Sequence, residues 1–256
     1  MKKLFLLLFI VATCGSEGYS QTYNYDVNGD GKVTAADVTA LYDYMLGNVP
    51  IEPSVSHEYV DLGLPSGTLW ATMNIGATSP EDYGDYFAWG ETTPKEVYDW
   101  NTYTWGDGDT YGLTKYCAHS SYGYNGFVDN KTELDPMDDA AYVNWGPEWR
   151  MPSKEQIVEL QNYCNAVWTT RNGVNGCLLT SSINGTSLFF PAAGNFYIGS
   201  LDDVGEYGQC RSRTLHPSND RKAFSLGFGY ALGSGWGLAD CSRVTGRSVR
   251  AVRVSQ

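Results

Sequence analysis

An α+β fold is predicted for the larger part of this chain, with a small loop–helix module ahead of it. Three observations carry the prediction. Strand-like segments stand at both ends of residues 58–256, from "YVDLGLPSGTLWATMNIGA" to "AFSLGFGY" and "RSVRAVRV". Helical periodicity is confined to the middle of that stretch, in "DPMDDAAYVNWGPEWRMPSKEQIVELQNYC". Residues 26–37, "DVNGDGKVTAAD", set oxygen-bearing side chains at regular positions just before a helical run. Strands, then helices, then strands suit a segregated α+β body whose two ends pair in one sheet.

Residues 1–20 read as an export signal. Lys2 and Lys3 open it, Leu4–Val11 form the apolar segment, and Gly18 and Ser20 suit cleavage before Gln21. This apolar run is too short to span a bilayer, and no later run reaches that length, so no transmembrane span is expected. The expected location is secreted or at the cell surface, including association with an outer membrane. Lipid attachment at Cys14 is a rival anchoring mode, disfavoured by Thr13 beside it. The formal net charge is −12, whereas nucleic acid and anionic membrane surfaces call for clustered Lys and Arg. Both are therefore excluded as partners.

Residues 21–48 form the loop–helix module. Counted from Asp26, slots one, three and five are Asp26, Asn28 and Asp30. Gly31 stands where such a loop turns sharply, the Lys32 carbonyl fills slot seven, Thr34 can hold a bridging water at nine, and Asp37 fills slot twelve. Calcium takes six to eight oxygens from a flexible loop of this kind. Asp37 is one methylene shorter than the usual EF-hand glutamate. Behind the loop, Val38, Leu41, Tyr42, Met45 and Leu46 fall on one helical face, which Thr34 can cap and Gly47 can end. The wording "DVNGDGKVTAADV", with Asp at slot twelve and no incoming helix, resembles one repeat of a type I dockerin. The resemblance implies Ca2+ as cofactor, Asp26, Asn28, Asp30, Lys32 and Asp37 as its site, to which the slot-nine reading adds Thr34, and Ala35 and Ala36 at partner-recognition positions. It extends to a cohesin-like partner, although one repeat stands here where dockerins carry two.

Residues 49–57, within "GNVPIEPSVSHE", have two prolines and no periodicity and read as a linker. The body follows from 58 to 256. Its first hairpin turns at Pro65-Ser66-Gly67. Ser79 offers a cap to the segment 79–91. The Tyr/Trp/Gly/Asp-rich stretch that runs on to Asn130 must pack by its aromatics or carry function. A short helix is expected over Asp135–Val143. A second starts at Ser153 with Gln156 as its reciprocal partner, burying Ile157, Leu160, Tyr163 and Cys164. "GVNGCLLTSSINGTSLFFPAAG" reads as a hairpin turning at Asn184-Gly185.

Beyond the leader lie Cys117, Cys164, Cys177, Cys210 and Cys241. Export permits disulfides, but five is odd, and single buried thiols are expected for several. Pairs 164–177 and 210–241 stay open. No spacing suggests zinc.

Catalysis finds little support. His57, His119 and His216 lie in polar connections, no GxSxG elbow occurs, and no pair of acids stands out among many. "GFGYALGSGWG" lacks the residues of a phosphate loop. Aromatic recognition is better supported, since Tyr and Trp stack on sugar faces and dominate protein interfaces. Trp70, Trp89, Trp145 and Trp149 are expected in the core. Tyr230 and Trp236, among glycines, are candidates for ligand binding.

The segments "EYVDLGLPSGTLWATMNIGA", "GDYFAWGETTPK", "EWRMPSKEQIVEL", "LFFPAAG" and "GRSVRAVR" resemble the Fibrobacter succinogenes major paralogous domain over nearly all of residues 58–256. The resemblance implies a C-type lectin-like fold, an exported bacterial protein often joined to adhesion or polysaccharide modules, and no transferable catalytic set. The family's usual YWSS is here "GQCRSRT", which puts Arg211 and Arg213 near the surface where lectin-like domains bind ligands. The resulting expectation is a calcium-binding, non-catalytic recognition or adhesion protein for a glycan or protein ligand. The alternatives are a dockerin-bearing accessory or enzyme of polysaccharide degradation, and a purely structural surface protein.

Overall fold

The computed structural model describes residues 57–230 and 235–254. The leader, the loop–helix module and most of the linker lie outside the described residues.

Strands β1 (Tyr59–Asp61) and β2 (Thr68–Ala71) form the expected hairpin. Gly67 closes its turn by donating to the Leu64 carbonyl at 2.9 Å. It does so at φ +71°, a conformation that favours glycine. The last strand, β11 (Val252–Val254), lies antiparallel to β2 with Val252 opposite Trp70. The two ends of the body thus share one sheet, as the order of segments suggested.

Helix α1 (Ala140–Trp145) is preceded by a separate 3-10 turn, Pro136–Asp138. The expected helix over Asp135–Val143 is broken at Asp139, whose extended backbone lets its carboxylate accept from the Ala141 and Tyr142 amides. Helix α2 (Lys154–Tyr163) starts as expected, with Ser153 and Gln156 exchanging hydrogen bonds at its N-terminus. Ile157 and Leu160 are its buried residues. Tyr163 instead faces outward, and Cys164 is already strand.

β3 (Cys164–Arg171) follows α2 without a turn and pairs with β4 (Val174–Ser181), which pairs with β5 (Ser187–Pro191). Gly176 of β4 permits a close approach. A Cβ there would lie 2.3 Å from the Phe190 carbonyl oxygen. β6 (Asn195–Tyr197) and β7 (Ser200–Asp202) make a small hairpin. β8 (Tyr207–Leu215), β9 (Lys222–Gly229) and β10 (Gly237–Ser242) form a third sheet in the order β10-β9-β8. Segment 79–91 forms no helix. Ser79 makes a turn with Asp82, and Phe87 bridges to Arg247.

The main core gathers Trp70, Ile157, Leu160, Phe190, Leu226 and Phe228 where β2, α2 and the two large sheets meet. Trp70 and Phe228 each meet the edge or face of Phe190 at about 6 Å, contacts worth roughly 0.5–1.5 kcal/mol each beyond area burial. A second cluster holds Trp89, Tyr116 and Trp149, with Trp145 partly buried against it. Trp70, Trp89 and Trp149 are buried as expected, whereas Trp145 packs on the second cluster only partly buried. The aromatic stretch before Asn130 also packs. Tyr103 and Trp105 hydrogen-bond the Trp89 and Gly90 carbonyls at 2.6 and 2.7 Å.

Candidate functional site

Arg211 is fully buried, which corrects its assignment to a ligand surface. Its guanidinium donates to the carbonyls of Phe87 at 3.1 Å, Ser242 at 2.9 Å and Arg243 at 3.2 Å, and also to that of Thr245. β8 points it into the body, where it ties together backbone groups that would otherwise be buried unpaired. Arg243 and Arg250 are buried in the same manner. Burial lowers Arg250 to about 10, and its guanidinium stands 4.6 Å from the Phe190 ring centre.

Arg213, two residues on, reaches a groove of about 530 Å³ that it shares with Glu133, Glu148, Arg150, Gln156 and Arg253. Each arginine there already has an acid: Arg213 with Glu133 at 3.1 Å, Arg253 with Glu148 at 3.1 Å, Arg150 with Asp139 at 2.8 Å. The charge of each arginine is thus already paired.

Tyr230 stands apart from that network, at 75% exposure the most open large apolar side chain among the described residues. It borders a cleft of about 440 Å³ with Trp168, Asn175, Gly205 and Glu206. Sequence reasoning missed Trp168 because β3 was not foreseen. The alternation in "CNAVWTTR" was its only signal. Trp168 lies opposite Cys177 in the β3–β4 register and packs partly against the main core, so it forms a fixed floor. Its ring centre lies 6.3 Å from that of Tyr230, with the planes at 58°. The wall is pinned from behind, since the Tyr230 amide donates to the Glu206 carbonyl at 3.0 Å. Asn175 Nδ2 donates to the Gly205 carbonyl at 3.0 Å, and Asn175 Oδ1 accepts from Thr170 at 2.7 Å. Those bonds hold the β7–β8 turn against β4. Trp236 is half-buried against the main core, and its carbonyl accepts from Gln161 at 3.0 Å.

The histidines do not assemble a nucleophilic site. His119 Nδ1 lies 3.0 Å from Asp220 Oδ1, and Cys117 Sγ lies 3.5 Å from Asp220 Oδ2. The carboxylate therefore sits between thiol and imidazole, whereas a nucleophilic thiol needs the imidazole beside it. Burial, reinforced by Asp220, pushes the Cys117 thiol up to about 11. His57 stacks on Trp145 at 3.8 Å, and His216 tilts against Phe224. The five described cysteines are free and buried. Register explains why neither open pairing forms: Cys164 faces Ser181 while Cys177 faces Trp168, and Cys210 and Cys241 flank β9 opposite Leu226 and Ala223. Among the described residues, no group of three or more His, Cys, Asp and Glu could hold a metal ion, and no helix is long and apolar enough to cross a membrane. Asp26, Asn28, Asp30, Lys32, Thr34 and Asp37 lie outside the described residues.

Comparison with known proteins bears on that undescribed part. Neither the curated proteins nor the solved structures contain a match to this chain. Residues 20–62 match the dockerin type I domain family, and the match runs from the expected cleavage point through the loop–helix module and linker into β1. The N-terminal segment is, on that finding, dockerin-like.

Proposed function

We propose that this chain is an exported, calcium-binding, non-catalytic recognition protein acting at the cell surface or in the medium. Its dockerin-like segment binds Ca2+ through Asp26, Asn28, Asp30, the Lys32 carbonyl, Thr34 and Asp37, and couples the chain to a cohesin-like module. Its body, read as a C-type lectin-like major paralogous domain, binds a glycan in the Trp168–Tyr230 cleft. The match at residues 20–62 supports the first half. The observation that carries the second is an exposed Tyr230 angled over a Trp168 ring that the core holds in place. A pyranose has an apolar face that stacks on such rings, and a rigid floor reduces the entropy lost on binding.

The test is a glycan array probed with the full chain, followed by titration of the best binder. Trp168→Ala and Tyr230→Ala are each expected to lower affinity at least tenfold, a loss of about 1.4 kcal/mol. Tyr230→Phe should keep most of the binding, since the stacking face survives. Unchanged binding in both alanine variants, with the near-ultraviolet circular dichroism of the native body, would overturn the reading.

The dockerin match favours one further reading, in which the chain is an accessory or enzyme of a polysaccharide-degrading assembly. Turnover of a polysaccharide panel by the purified chain would decide for an enzyme.

A further inference from the structure

Among the described residues, Glu206 is the one charged residue that lines the Trp168–Tyr230 cleft. From this we infer that the cleft selects sugars carrying a protonated amine, of the glucosamine type, over neutral and acidic sugars. The inference rests on the glycan reading above and names its ligand class. Three features support it. First, the cleft joins two aromatic rings at 58° to a carboxylate on an exposed residue. An ammonium group is attracted by the negative faces of the rings and by the carboxylate together. Second, the one amide side chain among the lining residues described is already committed. Asn175 bonds Gly205 and Thr170, which leaves Glu206 as the charged group facing a ligand beside the Trp168 indole N–H and the Tyr230 hydroxyl. Third, no cation on the neighbouring strand competes for the carboxylate. Arg171, three residues beyond Trp168, is held by Glu81 at 2.6 Å. A uronic acid would bring its own carboxylate against Glu206, and a neutral sugar would forgo the ion pair.

The experiment titrates the full chain with glucosamine trimer, N-acetylglucosamine trimer, cellotriose and trigalacturonate at about pH 5.5, where sugar amines are protonated and carboxylates largely ionised. Glucosamine trimer is expected to bind about tenfold more tightly than the two neutral trimers, and trigalacturonate least well. The net charge of −12 attracts any polycation, so the preference must vanish in Glu206→Gln and all binding must fall in Trp168→Ala. Equal binding of charged and neutral trimers, or a preference that survives Glu206→Gln, overturns the inference while leaving the glycan reading standing. Tighter binding of a trilysine peptide, lost in the same two variants, also overturns it and assigns the cleft to basic protein segments. If no trimer and no array glycan binds, the glycan reading itself has failed.

Discussion

Asp139 holds Arg150 Nε at 2.8 Å with one carboxylate oxygen, while its other oxygen caps helix α1 through Ala141 N at 2.9 Å and Tyr142 N at 3.2 Å. The Met151 amide donates to the same fully buried carboxylate, and Arg150 reaches on to the Leu134 carbonyl at 3.1 Å. One side chain therefore joins the entry to α1, the segment before α2, and the loop that leads into both. Asp139→Ala removes the cap and strands a guanidinium. The expected loss is about 3–5 kcal/mol, read as a fall in the urea midpoint. Asp139→Asn, which keeps an acceptor for the cap, should recover part of it.

The turn between β6 and β7 contains a different kind of irregularity. Ile198 takes φ +47° and is 62% exposed. A β-branched residue is strained there, and burial offers no compensation. Ile198→Asn, a residue suited to the first position of such a two-residue turn, is expected to stabilise the body by about 1 kcal/mol. A thermal midpoint that stays the same or falls would show that Ile198 makes a compensating contact.

Burial lifts the thiols of Cys117, Cys164 and Cys210 to about 11 and that of Cys177 to about 12. Unfolded thiols ionise near pH ~8.5. Below that pH both states are protonated and this contribution to stability is complete. As pH rises through the window up to the native values, the unfolded state releases protons that the native state retains, so stability falls. Burial also raises Tyr86 and Tyr103 to about 12, which extends the decline. Urea midpoints are expected to hold from pH 7 to 8 and drop steadily from 9 to 11. At pH 8, iodoacetamide should reach these cysteines only after unfolding.

The proposed calcium loop has its own signature. The full chain should release or absorb heat on titration with Ca2+, and the ion should raise the melting temperature of the N-terminal segment. Asp26→Ala together with Asp30→Ala should abolish both effects, since calcium requires a full oxygen shell. The transition of the body should be unmoved.

Much of this architecture was legible in the sequence because local chemistry decided it. Pro65-Ser66-Gly67 has no other use than a turn, and Ser153 with Gln156 is a capping signal complete within four residues. The closing of the two ends into one sheet followed from the order of segments. What escaped depended on distant partners. β3 begins at the residue after α2 ends, with no glycine or proline at the join, so the change from helix to strand left no punctuation. Arg211 looks like a surface residue by type. Only the convergence of carbonyls from Phe87 and the loop at Ser242–Thr245 makes the interior a suitable place for it. The cleft was half legible: Tyr230 could be read from its polar, glycine-rich neighbourhood, whereas Trp168 needed the strand that carries it.

The pairing of Val252 with Trp70 sets a schedule for synthesis. The strand that seals this sheet leaves the ribosome long after its partner, so the hearth of the domain stays open until translation of this stretch is nearly done. A domain whose early and late strands must meet before it can compact is slow to fold.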